Sequence, residues 1–359
     1  MRNLAPLTFE IGAIRPPSEG GSNSLLIRVT RNCPWNRCKF CFGTFYNREK
    51  FQLRSIEEIK ENIHTIKIIS DEIKHVSWQI GHAGNINNQV AAAIIQNEPD
   101  LCEHNSFITV FNWLGSGGRT VFLQDADSLI MPTQDLIEVI KSLKETFPTI
   151  NRITSYARAK TIYRKTLDEL KDLGKAGLNR IHVGLETGDN ELLTLVDKGV
   201  TAEEHIAAGR KIKEAGIELS EYIMPGLGGR ALSNQHALNT ARTLTAINPH
   251  YIRIRPFRPL KNTPMHNDYV EGKIELCSPY ELLQELQKII QDLDVTSHLC
   301  FDHMSNYWLN ISGGILFKHS YEGYQFPVKK DTVLTLIKEG LSVEESIQQE
   351  AYEVTLGNI

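Results

Sequence analysis

The sequence predicts an α/β fold: a partial (βα)6 barrel of TIM type with parallel strands, plus a helical C-terminal extension. Three observations carry this. Short apolar runs alternate with amphipathic helical patterns. Several of those patterns open on a capping box, a Ser or Thr with Glu three residues on. From the second strand onward the strands recur at about 30-residue intervals, which suits βα units with crossover helices and a parallel sheet. Six such units are too few for a closed eight-fold barrel.

Residues 1–22 hold Pro16, Pro17, Gly20 and Gly21 and read as an irregular lead-in. The barrel is expected over 23–260 and the extension over 261–359. The run 24–30 reads as a buried strand. A helix opens at Ser55 with Glu58, and Ile56, Ile59, Ile63 and Ile66 share one face. Residues 70–118 fall outside the period and form an insertion with Cys102, His104, Trp113 and a turn at 115–118. Further strands are expected at 120–124, 152–156, 181–185, 217–223 and 251–255. Their helices begin near Thr133, Thr166, Thr201 and Ser233. In the extension, Ser278, Pro279 and Glu281 open a helix that carries Leu282, Leu283, Leu286, Ile289, Ile290 and Leu293.

The chain has 359 residues, 41% hydrophobic and 23% charged, with formal net charge −4. No basic run stands out, which disfavours nucleic acid as a partner. No stretch approaches the roughly 20 apolar residues of a membrane span. The N-terminus lacks an apolar core of signal-peptide length. A cytoplasmic protein is expected. Six cysteines form no disulfide framework, and in a reducing compartment a tight cysteine cluster binds metal or does chemistry more often.

Such a cluster follows the first strand: Arg31-Asn-Cys33-Pro-Trp-Asn-Arg-Cys38-Lys-Phe-Cys41-Phe-Gly43. It lies at the C-terminal edge of a strand, where parallel βα folds place their sites. Thiolates are the ligands of iron–sulfur clusters. Three of them on a four-iron cube leave one iron open to bind a small molecule and pass it an electron. The competing reading is a structural zinc loop, completed by His64, His75, His82 or a distant cysteine. Cys102, Cys277 and Cys300 are scattered singly and read as small buried hydrophobes.

The strand, the three-cysteine loop and the βα period resemble the radical S-adenosylmethionine (SAM) superfamily. Its usual motif is C-x3-C-x-φ-C with φ aromatic; this chain has C-x4-C-x2-C, one residue longer, with Phe40 at φ. The segment Val183-Gly-Leu-Glu-Thr-Gly188 is most similar to the branch holding oxygen-independent coproporphyrinogen oxidase and the methylthiotransferases. The resemblance implies a [4Fe–4S] cluster on Cys33, Cys38 and Cys41 and SAM on the open iron. One electron then cleaves a carbon–sulfur bond, usually giving methionine and a 5′-deoxyadenosyl radical that abstracts hydrogen from substrate. A low-potential donor such as flavodoxin or ferredoxin is implied, with a small-molecule substrate. A zinc-stapled hydrolase or lyase using Asp125, Asp127 and His303, or a non-enzymatic iron–sulfur carrier, are the alternatives.

By position, Gln124, Asp125, Ala126 and Asp127 correspond to the superfamily's site for the SAM amino group. A solvated turn or a D-x-D magnesium site would look the same. Phe40 is expected beside the adenine, with Met224 and its following glycines lining it. Ser155 and Arg158 end the third strand; Arg158 suits a carboxylate or a surface ion pair. Glu186 suits the ribose hydroxyls or a helix cap. Arg210 is a further carboxylate candidate, with a solvated helix face as its alternative. Arg253 and Arg255 share one face of the last strand. In the extension, Asp302 and His303 are candidates for acid–base work at the barrel mouth, or for a turn that caps a helix.

Overall fold

The computed structural model describes residues 2–14, 23–41, 49–348 and 350. Pro16, Pro17, Gly20, Gly21 and Gly43 lie outside them. The strands are β1 (Leu25–Arg28), β2 (Thr30–Arg31), β3 (Gln52–Leu53), β4 (Thr120–Gln124), β5 (Arg152–Ala157), β6 (Leu178–Glu186), β7 (Glu218–Ile223), β8 (Tyr251–Ile254), β9 (His298–Cys300) and β10 (Tyr324–Gln325). The helices are α1 (Ile56–Gln79), α2 (Asn88–Asn97), α3 (Asn105–Gly115), α4 (Thr133–Thr146), α5 (Ala159–Arg164), α6 (Leu167–Ala176), α7 (Asn190–Leu195), α8 (Ala202–Glu214), α9 (Gly229–Ile247), α10 (Pro264–Val270), α11 (Pro279–Asp292) and α12 (Lys330–Gly340). The eight strands β1 and β4–β10 are mostly parallel and follow one another in chain order, so the chain is of the expected α/β class. Among the described residues no helix is long and apolar enough to cross a membrane.

The chain forms two compact units. The first comprises Met1–Pro34, Glu49–Ala157 and Asp168–Ile181. Its strands β1, β4 and β5 are parallel neighbours, with Leu25 opposite Val121 and Val121 opposite Ile153. Helix α1 has the expected capping box and buries Ile59, Ile63, Ile66, Ile69, Ile73 and Val76. Because that apolar stripe continues unbroken, α1 runs through residues 70–79, which sequence reading had placed in the insertion. The rest of the insertion is itself helical, as α2 and α3, the latter capped by the His104 ring.

The second unit comprises Trp35–Arg48, Arg158–Leu167 and His182–Ile359. Here β7, β8 and β9 are parallel, and β10 returns antiparallel on β9. The capping boxes at Thr201 and Ser278 are present as expected. Helix α9 starts at Gly229, one turn before Ser233. The extension is helical but also supplies β9 and β10. It shares one core with the barrel strands: Ile223, Ile252 and Ile254 pack with Leu244 of α9, Leu286 and Ile290 of α11, and Val333 and Ile337 of α12.

Candidate functional site

In the first unit the chain approaches Cys33 through an ion-pair network. Arg28 is a charge in an otherwise apolar buried strand. It pairs with Asp125 at 2.7 Å, Glu10 at 2.8 Å and Glu49 at 2.8 Å. Arg31 and Arg54 also converge on Glu10, at 2.6 and 3.3 Å. Burial alone would weaken the Arg28 charge, but its carboxylate partners more than offset this and hold the proton. Asn32 then turns the chain at φ 63°. Its N–H donates to Asp125 Oδ2 at 3.0 Å, its Oδ1 accepts from the Cys33 N–H at 2.6 Å, and its amide donates to the Glu49 carbonyl. An Asn side chain tolerates this left-handed conformation because it can bond locally. The backbone of the first cysteine is thereby fixed.

This network also defines what Gln124 and Asp125 do. The Gln124 side chain binds the lead-in backbone: its Oε1 accepts from Gly12 N at 2.8 Å, and its Nε2 donates to the Gly12 and Ile14 carbonyls. Asp125 is fully buried, and Oδ2 accepts from Arg28 and Asn32. A Cβ on Gly12 would lie 1.9 Å from Asp125 Oδ1, so only glycine lets the lead-in close over this carboxylate. Asp125 is thus enclosed by the chain itself. Asp127 and Ser155 are buried, with Ser155 Oγ donating to the Tyr156 carbonyl, and Ala126 is half-buried.

In the second unit Cys38 and Cys41 sit on a tight turn, with Cys41 N donating to Cys38 O at 3.0 Å. The turn is anchored on the loop after α7. Lys39 N donates to Val196 O at 2.9 Å, and Trp35 Nε1 donates to Asp197 O at 2.7 Å. Gly199, at φ 72°, lets Trp35 approach; a Cβ there would lie 2.5 Å from the indole. Arg158 lies over the same ring at 5.0 Å and donates to Lys198 O at 3.0 Å. Phe40 and Met224 pack on one apolar patch with Leu192, Val196, Leu227, Phe257 and Met265.

Glu186 ends β6 at φ 63°, and its Oε1 accepts from Lys198 Nζ at 2.7 Å. Lys198 also lies 5.4 Å from the Phe40 ring centroid. Burial works against the Lys198 charge, but Glu186 and Cys38 outweigh it and raise its pKa. Lys198 was missed in the sequence, where it is one lysine in a turn. Glu221 on β7 was missed too: burial, then the Glu186 charge, pushes its carboxyl well above the usual range. Burial, then Lys198 and Arg158, keeps the enclosed His205 ring neutral.

The other expected residues lie elsewhere. Arg210 is exposed on α8 and its Nε donates to the Ala246 carbonyl near the end of α9. Asp302 and His303 lie in a turn and cap no helix. Asp302 pairs with the buried Arg253 at 2.7 Å. The His303 pKa falls to about 3, through burial and then Arg255, Arg258 and His319. Its Nδ1 accepts from the Ser305 N–H at 3.1 Å, which leaves the ring proton on Nε2. Cys277 and Cys300 are buried as expected, but Cys102 is exposed at the end of a surface turn.

The radical SAM superfamily model matches residues 27–240, more than half of the chain and all of the cysteine loop. The chain belongs to the radical SAM superfamily. Among curated relatives, the tRNA uridine(34) acetyltransferase of Methanocaldococcus infernus is 24% identical over 122 residues, 34% of this chain and 22% of that protein. The heme chaperone HemW of Bacillus subtilis is 23% identical over 178 residues, 48% of this chain and 45% of that protein. The chain therefore spans less than half the length of these relatives. Among solved structures, methylornithine synthase (PylB) aligns over 95% of this chain and 79% of its own, at TM-score 0.44 and 16% identity. Coproporphyrinogen III oxidase (HemN) from Escherichia coli covers 48% of this chain and 39% of its own, at TM-score 0.39 and 20% identity.

Radical SAM enzymes use a [4Fe–4S] cluster and SAM, and this chain is a member of that superfamily. Its donor set fits the group: three half-buried cysteines within nine residues of sequence, one of which, Cys38, lies close enough to the Lys198 ammonium to interact with it. Among the described residues no three His, Cys, Asp or Glu side chains converge as a single metal ion requires. Thiolates that each hold a different iron need no such convergence.

Proposed function

We propose that Cys33, Cys38 and Cys41 hold a [4Fe–4S] cluster, and that the enzyme cleaves SAM there to start radical chemistry on a small organic substrate. The observation that carries this reading is the family match across 27–240, which takes in all three cysteines. When bound, the cluster supplies one electron, and SAM supplies the carbon–sulfur bond that the electron breaks. A low-potential donor such as flavodoxin or ferredoxin would deliver that electron.

The chain's own groups would then divide the work. Asn32 fixes Cys33, and the contacts of Trp35 and Lys39 fix the turn of Cys38 and Cys41. Phe40 and Met224 offer an apolar face for a nucleobase. Glu186, held by Lys198, is the carboxylate for ribose hydroxyls, and Arg158 the cation for a carboxylate. His303, neutral with its proton on Nε2, is a hydrogen donor on the substrate side. A small substrate is favoured over RNA by the net charge of −4 and the lack of a basic run.

The test is anaerobic reconstitution with iron and sulfide, then incubation with SAM and dithionite. Mass spectrometry should find 5′-deoxyadenosine, lost in Cys38→Ala. A different SAM fragment from an intact cluster would move the cleavage to another carbon–sulfur bond. Zinc without iron or sulfide would end this reading.

A further inference from the structure

Arg253 is a buried arginine with a donor to spare. It lies on β8 at 1% exposure, within the second unit. Nε donates to Ser220 Oγ at 3.1 Å, and Nη1 donates to Asp302 Oδ2 at 2.7 Å. Nη2 is buried and has no partner among the described residues. The guanidinium is held against Tyr251 and Tyr321, 5.3 and 4.8 Å from their ring centroids. Its plane and its fork are therefore fixed by four side chains.

A buried donor without an acceptor loses its bonds to water and gains nothing in return, which is costly. A guanidinium is the group least able to shed its charge. Such a group persists where an acceptor completes it. Arg255 and Arg258 act on His303, the residue after Asp302, and that imidazole is neutral. Arg253 lies one residue before the C-terminal end of β8, and Asp302 lies two residues beyond the end of β9. These are the strand ends at which parallel βα folds bind ligands.

We propose that the substrate carries a carboxylate, and that Arg253 is its anchor, through Nη2, with Asp302 and the two tyrosines presenting the fork. This rests on the reading of the chain as a radical SAM enzyme whose substrate sits at these strand ends. A carboxylate oxygen supplies the missing acceptor, in the planar geometry that a guanidinium fork matches. Asp302 is then a positioning residue: it orients Nη1 and does not touch the reacting atoms.

The experiment uses the full chain, reconstituted with iron, sulfide and SAM, and titrated by calorimetry at constant ionic strength. The probes are succinate and benzoate against succinamide and benzamide. The acids should bind, and the amides should bind at least tenfold more weakly. Arg253→Lys keeps the charge but loses the fork, and should weaken acid binding at least tenfold. Asp302→Asn removes the competing carboxylate while keeping an acceptor, and should tighten acid binding severalfold, a gain that misfolding cannot mimic. Acids and amides binding alike, no acid binding even in Asp302→Asn, or undiminished acid binding in Arg253→Lys would each overturn the anchor. The parent protein's 5′-deoxyadenosine yield is read separately. If acids bind through Arg253 but no fragment of SAM forms at all, the SAM reading fails and the anchor stands.

Discussion

A lysine ammonium 2.7 Å from a carboxylate, with both side chains less than 15% exposed, is a strongly coupled pair. Removing one partner of a buried pair leaves an uncompensated charge, which costs far more than the net worth of the pair. Lys198→Met should therefore destabilise the apo-protein by about 3–5 kcal/mol. The double change Lys198→Met with Glu186→Gln should recover most of that loss. Urea unfolding of the four proteins completes the cycle, and additive losses would mean that the pair does not interact. The contrast with the cysteines explains what could be read at this scale. Three thiols within nine residues announce themselves, because their chemistry is local in sequence. Lys198 gains its meaning from Glu186 and Cys38, which only the fold brings to it. Asp125 gains its surroundings in the same way. Its position matched a ligand-binding segment, but Arg28, Asn32 and the lead-in enclose it.

Helix α8 shows how an element is placed. Thr201 and Glu204 cap its start reciprocally, and His205, Ala208, Gly209 and Ile212 form its buried face. Gly209 sets the distance to its neighbours. A Cβ there would lie 2.6 Å from Ile247 Cγ2 on α9 and 3.1 Å from Leu219 Cδ2 on β7. Ile247 is β-branched and stiff, so it cannot swing aside. Overpacking costs about 1–3 kcal/mol, against about 1 kcal/mol gained in helix propensity on replacing glycine by alanine. Gly209→Ala should thus lower stability by up to about 2 kcal/mol in urea unfolding. A rise in stability would show that α8 has room to spare. Elements were legible where their signals were local, as with the caps at Ser55, Thr201 and Ser278. The short helices α5 and α7 span six residues each, less than two turns, too few to show a period. Strand β9 was missed because three residues, His298–Cys300, make no pattern alone; pairing with β8 defines them.

Over the whole molecule, the parallel order could be read from the recurrence of strands, whereas the role of the extension could not. Leu282 to Leu293 show an amphipathic face, but not that it completes the core of β7 and β8. The balance of buried charge is equally a property of the folded whole, and it sets how stability follows pH. His303 has a native pKa of about 3 against a usual 6.5. Between those values the unfolded chain binds a proton that the native state refuses, so stability falls as pH drops from 6.5 to 3. Glu221 acts in the opposite sense. Its carboxyl stays protonated well above the usual 4.5, so the native state holds a proton that the unfolded chain releases, and stability falls as pH rises above 4.5. His303→Gln should flatten the acid limb of the stability curve and leave the neutral region little changed in slope. Glu221→Gln should stabilise the protein near neutral pH, with the advantage closing as pH falls toward 4.5. Urea unfolding of the apo-proteins across that range checks both. Curves parallel to the parent would mean that neither group is held in the protonation state its burial dictates. A Glu221→Gln protein less stable at neutral pH would mean instead that Glu221 is ionised and paired with the Lys198 ammonium.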